Sequence, residues 1–159
     1  VVTGVSGSGV ALIEVYDADT TGAARLTNFS ARNFAGTGDA ALIAGFVVGG
    51  NVPKRLLVRG VGPRLGALGV AGVLADPKVE LFLNEGGRST LFATNDNWSE
   101  SGTTANRAAF SAVGAFDLND AASKDAALVV TVPAGMFTAQ VSGGGGVTGE
   151  ALVEIYELP

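Results

Sequence analysis

Short runs in which apolar and polar residues alternate follow one another along most of the chain, and this period of two is typical of β-strands. The run that begins at Lys54 is the clearest, because it places Leu56 and Val58 on one face of the predicted strand. Residues 41–48 are almost wholly apolar, which predicts a strand buried on both faces. Turn-forming residues separate the runs about every dozen residues, the spacing of β-sandwiches.

The alternation predicts about nine strands and at most one short helix. The predicted strands are residues 10–17, 25–31, 41–48, 54–61, 79–83, 91–94, 127–132, 137–141 and 150–157. One helix is predicted over 105–113, with a threonine before it as the cap. The stretch 60–70 is predicted to be a loop, because its glycines disfavour a helix. The fold class predicted is therefore all-β, an antiparallel β-sandwich or jelly roll.

The two ends of the chain carry nearly the same seven residues. The N-terminal copy, residues 11–17, has the sequence Ala-Leu-Ile-Glu-Val-Tyr-Asp, and the C-terminal copy, residues 151–157, has Ala-Leu-Val-Glu-Ile-Tyr-Glu. The Ala, Leu, Glu and Tyr positions are identical, and the other three exchange Ile with Val or Asp with Glu. Each copy follows a glycine-rich run, and 140 residues separate the starts of the two copies, at 11 and 151.

This repeat divides the chain into a lead of residues 1–19 and a β-sandwich domain of residues 20–159. The lead is either a donor strand or the tail of a preceding repeat. An unpaired apolar strand is an aggregation hazard unless a sheet accepts it, and head-to-tail donation to neighbours produces filaments. The side chains that form this predicted assembly strand are Leu12, Ile13, Val15 and Tyr16. In the alternative, both copies lie within one domain, and the protein is a soluble monomer.

Composition narrows the classes of function. The net charge is −5, so a nucleic-acid partner is not expected, and no apolar run is long enough for membrane insertion. The chain has no Cys and no His, which removes the usual nucleophile–base pairs and predicts a non-catalytic protein. The 24 glycines, the low charged fraction of 16% and the absence of Cys are typical of bacterial secreted or cell-surface proteins.

Two polar turns contain oxygen ligands of the kind that Ca²⁺ prefers. The candidates are Asn95 and Asp96 in one turn and Asp117 and Asp120 in the other. If these turns converge, they predict a structural calcium site; otherwise the residues are simply turn formers. No other cofactor is expected. Trp98, the only Trp, is either a packing residue or a surface on which a sugar ring stacks, so a glycan- or calcium-dependent adhesion module is the alternative function.

Several motifs, in order along the chain, resemble modules that occur in tandem in large secreted bacterial surface proteins. The segments that carry this resemblance are 53–63, 74–77, 94–98, 133–139 and 149–156. The Asn-Asp-Asn turn and the later Pro-Ala-Gly strand are also distantly similar to bacterial pre-peptidase C-terminal domains, which are accessory β-sandwiches of secreted enzymes. The resemblance implies secretion, a sandwich fold and repetition, and it implies no catalytic residues. The predicted function is a structural module of an extracellular filament or surface assembly, with copies of itself as partners.

Overall fold

A computed structural model describes residues 2, 5–6, 9–16 and 25–159, and in this part of the chain eight strands and two α-helices are present. The strands are β1 (Asn28–Ala35), β2 (Leu42–Val48), β3 (Lys54–Val61), β4 (Pro77–Glu85), β5 (Arg88–Asn95), β6 (Ala126–Val132), β7 (Gly135–Gly143) and β8 (Gly149–Glu157). The helices are α1 (Pro63–Ala67) and α2 (Thr103–Ala112), and single 3₁₀ turns cover Gly38–Ala40 and Gly144–Gly146.

The strands form two four-stranded sheets, with the order β1-β8-β3-β6 in the first sheet and β2-β7-β4-β5 in the second sheet. All six strand pairs are antiparallel. Pairing is nested, since β1 lies beside β8, β2 beside β7, β3 beside β6 and β4 beside β5. A long antiparallel ribbon folded over on itself in this way is a jelly roll, and the predicted all-β sandwich is confirmed.

The second strand is predicted over 25–31, but in the structure the corresponding strand β1 lies further along the chain and covers Asn28–Ala35. The predicted loop after β3 also contains a helix, the five residues of α1. Its first turn is stabilised by the buried Asp125 carboxylate, which accepts hydrogen bonds from the backbone N–H groups of Gly62 (2.8 Å) and Arg64 (3.1 Å). A side chain at Gly62 would overlap the Leu74 carbonyl, so glycine is required there.

The predicted strand over 10–17 is not formed in its described part. Residues 10–16 lie in no helix or strand, and residue 17 lies outside the described residues, as do residues 1, 3–4, 7–8 and 18–19 of the predicted lead. The physical reason is that the place suited to this sequence is already filled by β8, as the register below shows. The count of strands in the described residues is therefore eight, where the alternation predicts about nine.

Two hydrophobic cores lie on the two faces of the first sheet. The first core fills the space between the sheets, and β8 contributes Ala151, Val153 and Ile155 to it. The second core lies on the opposite face of the first sheet, where α2 and the loops around it cover the strands. Tyr156 and Leu158 belong to this second core. β8 supplies side chains to both cores, as β3 and β6 also do, so it is one of the strands that join the three layers.

Candidate functional site

The C-terminal copy of the repeat lies within β8, which occupies the place between β1 and β3 that we name the β8 slot. In this slot Leu152 lies opposite Arg32 of β1, and Glu154 lies opposite Arg59 of β3. Alternate residues enter different cores, because successive side chains of a strand point to opposite faces. The slot thus demands a fixed pattern of apolar, acidic and aromatic side chains along one strand.

An ion pair between Arg59 and Glu154 lies at the centre of the slot. Arg59 is fully buried, and only 4% of Glu154 is exposed. The Arg59 Nε atom donates a hydrogen bond of 2.8 Å to Glu154 Oε2. The Arg59 Nη2 atom lies 2.7 Å from the same oxygen and forms an ion pair with it, but its N–H groups are not aligned for a hydrogen bond. A buried guanidinium needs a carboxylate nearby, because an unpaired charge inside a protein is very costly.

Aromatic rings and a tyrosine hydroxyl complete the surroundings of this ion pair. The Arg59 guanidinium lies over the Phe110 ring at 4.8 Å and over the Phe116 ring at 4.4 Å. Its Nη1 atom donates a 2.7 Å hydrogen bond to the Phe116 carbonyl oxygen. Tyr156 Oη donates a 2.7 Å hydrogen bond to Glu154 Oε1. Burial, together with the neighbouring Glu154, raises the pKa of Tyr156 to about 12.

This raised pKa predicts how stability changes at alkaline pH. The unfolded tyrosine has its ordinary pKa of 10.0, so the folded state holds the phenolic proton more tightly between pH 10 and about 12. The contribution is fully present below pH 10 and is lost as the pH rises through the folded pKa. We expect the free energy of unfolding to fall by on the order of 2 kcal/mol over this range. Denaturant unfolding at several pH values measures it.

The variant Tyr156→Phe should lose most of this alkaline dependence, because it has no proton to release. The matched control is Tyr16→Phe in the N-terminal copy, which should keep the steep fall of the parent chain because Tyr16 is exposed. Equal slopes for the parent and Tyr156→Phe would contradict the assignment.

The N-terminal copy has the same internal hydrogen bond but lies at the surface. Tyr16 Oη donates to Glu14 Oε1 at 2.9 Å, as Tyr156 does to Glu154, and this bond raises the pKa of Tyr16. The four predicted assembly residues are all strongly exposed: Leu12 (81%), Ile13 (61%), Val15 (62%) and Tyr16 (79%). The same sequence pattern is therefore buried at one end of the chain and exposed at the other.

The C-terminal end of β8 is held by two further charges. Glu157 Oε2 accepts a 2.9 Å hydrogen bond from Arg25 Nε, and Glu157 Oε1 accepts one of 2.9 Å from Lys54 Nζ. These two bonds lower the pKa of Glu157. The residue at the equivalent position of the N-terminal copy is an aspartate, which lies outside the described residues.

Three of the four calcium candidates hold backbone groups through hydrogen bonds, whereas Asp96 Oδ1 is buried without a hydrogen-bond partner among the described residues. The Asn95 side chain accepts a hydrogen bond from the Ala127 N–H (2.9 Å) and donates one to the Asn97 carbonyl (3.0 Å).

In the other turn, Asp117 Oδ1 accepts a hydrogen bond from the Asn119 N–H at 2.9 Å. This bond and the nearby Arg107 lower the pKa of Asp117. Asp120 Oδ1 accepts from the Ala122 N–H at 2.8 Å, and Asp96 is half-buried.

Within the described ranges, no group of three or more acidic side chains is placed to hold a metal ion. The two polar turns do approach each other, but through Trp98. Its indole Nε1 donates a 3.1 Å hydrogen bond to the Asp120 carbonyl oxygen, and its ring packs against Phe110 at 5.9 Å between centroids. Trp98 is fully buried, so its ring offers no face to a sugar in this structure. Of the two roles that the sequence leaves open, the structure gives Trp98 the packing role.

Sequence reasoning did not select Arg59, Glu154 or Phe116, although together they form the most buried polar cluster of the slot. The repeat did point to Glu154 and Tyr156, because Glu and Tyr are two of the four positions that are identical in both copies. The partner Arg59 is 95 residues away from Glu154 in the chain, and no local pattern links them. None of the helices in the described residues is long and apolar enough to cross a membrane.

The strand order and the doubly covered first sheet define an eight-stranded jelly-roll sandwich with one helical layer. Comparison of the chain with models of known protein families, with curated proteins and with solved structures gave no match.

Proposed function

We propose that this chain is a non-catalytic structural module of an extracellular bacterial filament or surface assembly, joined to other copies of itself through the repeated strand. One observation carries the proposal: the chain holds two copies of the β8 sequence, and β8 fills the single slot. While β8 stays in that slot, the N-terminal copy is a strand-forming sequence without a place in its own sheet. Its complement is then the slot of another module.

The exposure of the N-terminal copy supports this proposal. Its four large apolar and aromatic side chains are each at least 61% exposed. Contiguous exposed apolar side chains mark sites of association, and an unpaired strand also leaves its backbone groups without partners. Insertion into a sheet satisfies both needs, because it pairs the backbone and buries the side chains.

The spacing of the two copies supports either way of joining modules. In tandem repetition, the strand that begins at residue 11 completes the preceding module and the strand that begins at residue 151 completes this one. In donation between separate chains, the same strand enters the sheet of a neighbour. Both arrangements are heterologous and need not close, so they build linear assemblies. The composition and the resemblance to tandem secreted modules favour an extracellular location.

The test is electron microscopy of the purified chain together with its light-scattering mass in solution. We expect filaments or large oligomers from the parent chain. The double variant Ile13→Ser/Val15→Ser should reduce the mass to that of a monomer of 15.8 kDa, because the polar side chains cannot enter a core. Deletion of residues 1–19 should have the same effect.

The matched control is Val52→Ser/Leu68→Ser, which removes two similarly exposed apolar side chains away from the repeat and should still assemble. A parent chain that remains monomeric at every concentration would contradict the proposed function. Assembly that persists unchanged after deletion of residues 1–19 would contradict the role of the N-terminal copy.

A further inference from the structure

We infer that the N-terminal copy is an alternative occupant of the β8 slot in its own module, and that its entry releases β8 for the slot of a second copy of the chain. The inference deepens the proposed function, on which the release to a second copy rests. It names the receiving site, the register of the incoming strand and the chemistry that recognises it.

The apolar side chains of the N-terminal copy fit the β8 slot. At the offset of the repeat, Ile13 takes the place of Val153, which is fully buried, and Val15 takes the place of Ile155, which is 6% exposed. One position gains a methylene group and the other loses one, so the total core volume is unchanged. Volume-conserving exchanges of this kind are the best tolerated substitutions in a core.

The β8 slot also requires a negative charge from its occupant. Arg59 is fully buried and faces Glu154, so an occupant without a carboxylate at this position would leave a buried charge unpaired. The N-terminal copy brings Glu14 to that position and Tyr16 to the position of Tyr156. The Tyr16 hydroxyl already bonds to Glu14, as the buried pair does. The incoming strand therefore carries the polar group that β8 supplies, and in the same arrangement.

The N-terminal copy can also reach the slot of its own module. At this register Tyr16 takes the place of Tyr156 opposite Asn28, the first residue of β1. Residues 17–27 connect the two, and a chain of that length spans roughly 36 Å when extended, far more than the separation of about 5 Å between paired strands. Residues 10–16 and β1 are then the arms of an antiparallel hairpin. The effective concentration in such a connection is on the order of millimolar.

Counting strands and slots shows what the exchange achieves. Each chain has one slot and two strands that match it. In a head-to-tail series, the β8 of each chain fills the slot of the next chain, and the first chain fills its own slot with its N-terminal copy. No slot is left empty, and the β8 of the last chain stays free for the slot of a further copy. The N-terminal copy thereby lets a chain release β8 without exposing both cores.

Disulfide trapping tests the exchange directly, because the chain has no native cysteine. In the native register, Val153 lies opposite Ala31 of β1, and Ala31 packs against the first core. The variant Ile13→Cys/Ala31→Cys should form an intramolecular disulfide on mild oxidation when residue 13 takes the place of residue 153. Directly opposite residues have the Cα separation that a disulfide needs.

Two matched variants control this experiment. Ala31→Cys/Val153→Cys should cross-link in the resident arrangement and gives the maximum yield. Leu12→Cys/Ala31→Cys shifts the cysteine by one residue, which points it to the other face of the strand, and should give at most about a tenth of that yield. An equal yield from the cysteines at 12 and 13 would indicate random collision and would overturn the inference, as would no cross-link from Ile13→Cys/Ala31→Cys.

A second experiment excludes β8 from the slot with the variant Val153→Asp, since a carboxylate cannot enter the first core. We expect this chain to retain cooperative thermal unfolding, with amide exchange at residues 12–16 slowed by at least about a hundredfold. Ile13→Asp alone should leave cooperative unfolding intact, and the combined variant should lose it. If Val153→Asp alone unfolds, or if Ile13→Asp has equal effects in both backgrounds, the inference is wrong.

The outcomes also separate this inference from the proposed function. An intramolecular cross-link in Ile13→Cys/Ala31→Cys, combined with a parent chain that never assembles, would support the exchange and contradict the assembly. A cross-link found only between chains, in an assembling protein, would support the assembly and overturn the exchange within one module. Electrophoresis under non-reducing conditions and the mass in solution distinguish these cases.

Discussion

In a chain that also carries Ile13→Asp, so that the N-terminal copy cannot take the place of β8, replacing Glu154 with alanine should lower the free energy of unfolding by about 3–5 kcal/mol, one of the two largest effects that we expect from one substitution. The reason is that the variant removes the only carboxylate that pairs with Arg59 among the described contacts, while Arg59 stays fully buried. It also removes the acceptor of the Tyr156 hydroxyl. Urea or guanidinium unfolding, monitored by circular dichroism, measures the loss.

The repeat supplies the matched control for this prediction. Glu14→Ala removes the same residue from the same sequence pattern, but from an exposed segment, and it should change the free energy of unfolding by less than about 0.5 kcal/mol. Similar losses for both variants would contradict the distinction between a buried and an exposed copy.

A double substitution separates the cost of the unpaired charge from the loss of packing. Arg59→Met/Glu154→Leu replaces both ions with apolar side chains, and such replacements are often neutral or stabilising when they pack well. We therefore expect this variant to be at least about 2 kcal/mol more stable than Glu154→Ala. If it is no more stable, the loss in Glu154→Ala comes from packing and not from the charge on Arg59.

Trp98→Ala should cost a similar amount, about 3–5 kcal/mol, because it leaves a large cavity in the second core. Trp98 is fully buried, packs against Phe110 and donates its indole hydrogen bond to the Asp120 carbonyl. The substitution also leaves that carbonyl without this donor. Chemical unfolding monitored by circular dichroism tests the value, since fluorescence is lost with the only Trp.

The costs of two further variants can be compared with that of Trp98→Ala. Trp98→Phe keeps an aromatic ring but not the indole N–H, so its cost should be smaller, about 1–2 kcal/mol. Phe34→Ala removes an aromatic side chain that is 55% exposed, and its cost should be below about 1 kcal/mol. A Trp98→Ala chain as stable as Phe34→Ala would show that the indole is not a core residue in solution.

Much of the fold follows from local patterns. Alternation alone predicts β3 over 54–61. A period of two places the apolar residues on one face of a strand, whereas in a helix the same residues would be spread around the axis. The helix α2 is predicted within two residues of its ends. The helix α1 was not predicted, since its start depends on Asp125, a residue about sixty positions further along the chain.

The candidate site was predictable only in part. The repeat itself and the two faces of each copy are properties of the sequence. The clustering of Arg59 with Glu154 and with the Phe116 carbonyl is not, because sequence separations of 95 and 57 residues are bridged only by the sheet order and by the layer of α2. The calcium hypothesis depended on loop convergence, and the structure places Trp98 where the two turns meet.

What the sequence by itself determined is the set of strands and the presence of two nearly identical strand sequences. Only the tertiary structure decided which of the two copies forms a strand. The C-terminal copy is buried between β1 and β3 and pairs with Arg59, whereas residues 11–16 have no regular secondary structure. The physical reason is that an isolated strand gains little from its own residues. Its stability comes from neighbouring strands and from a buried face, and β8 already occupies the one slot that offers both.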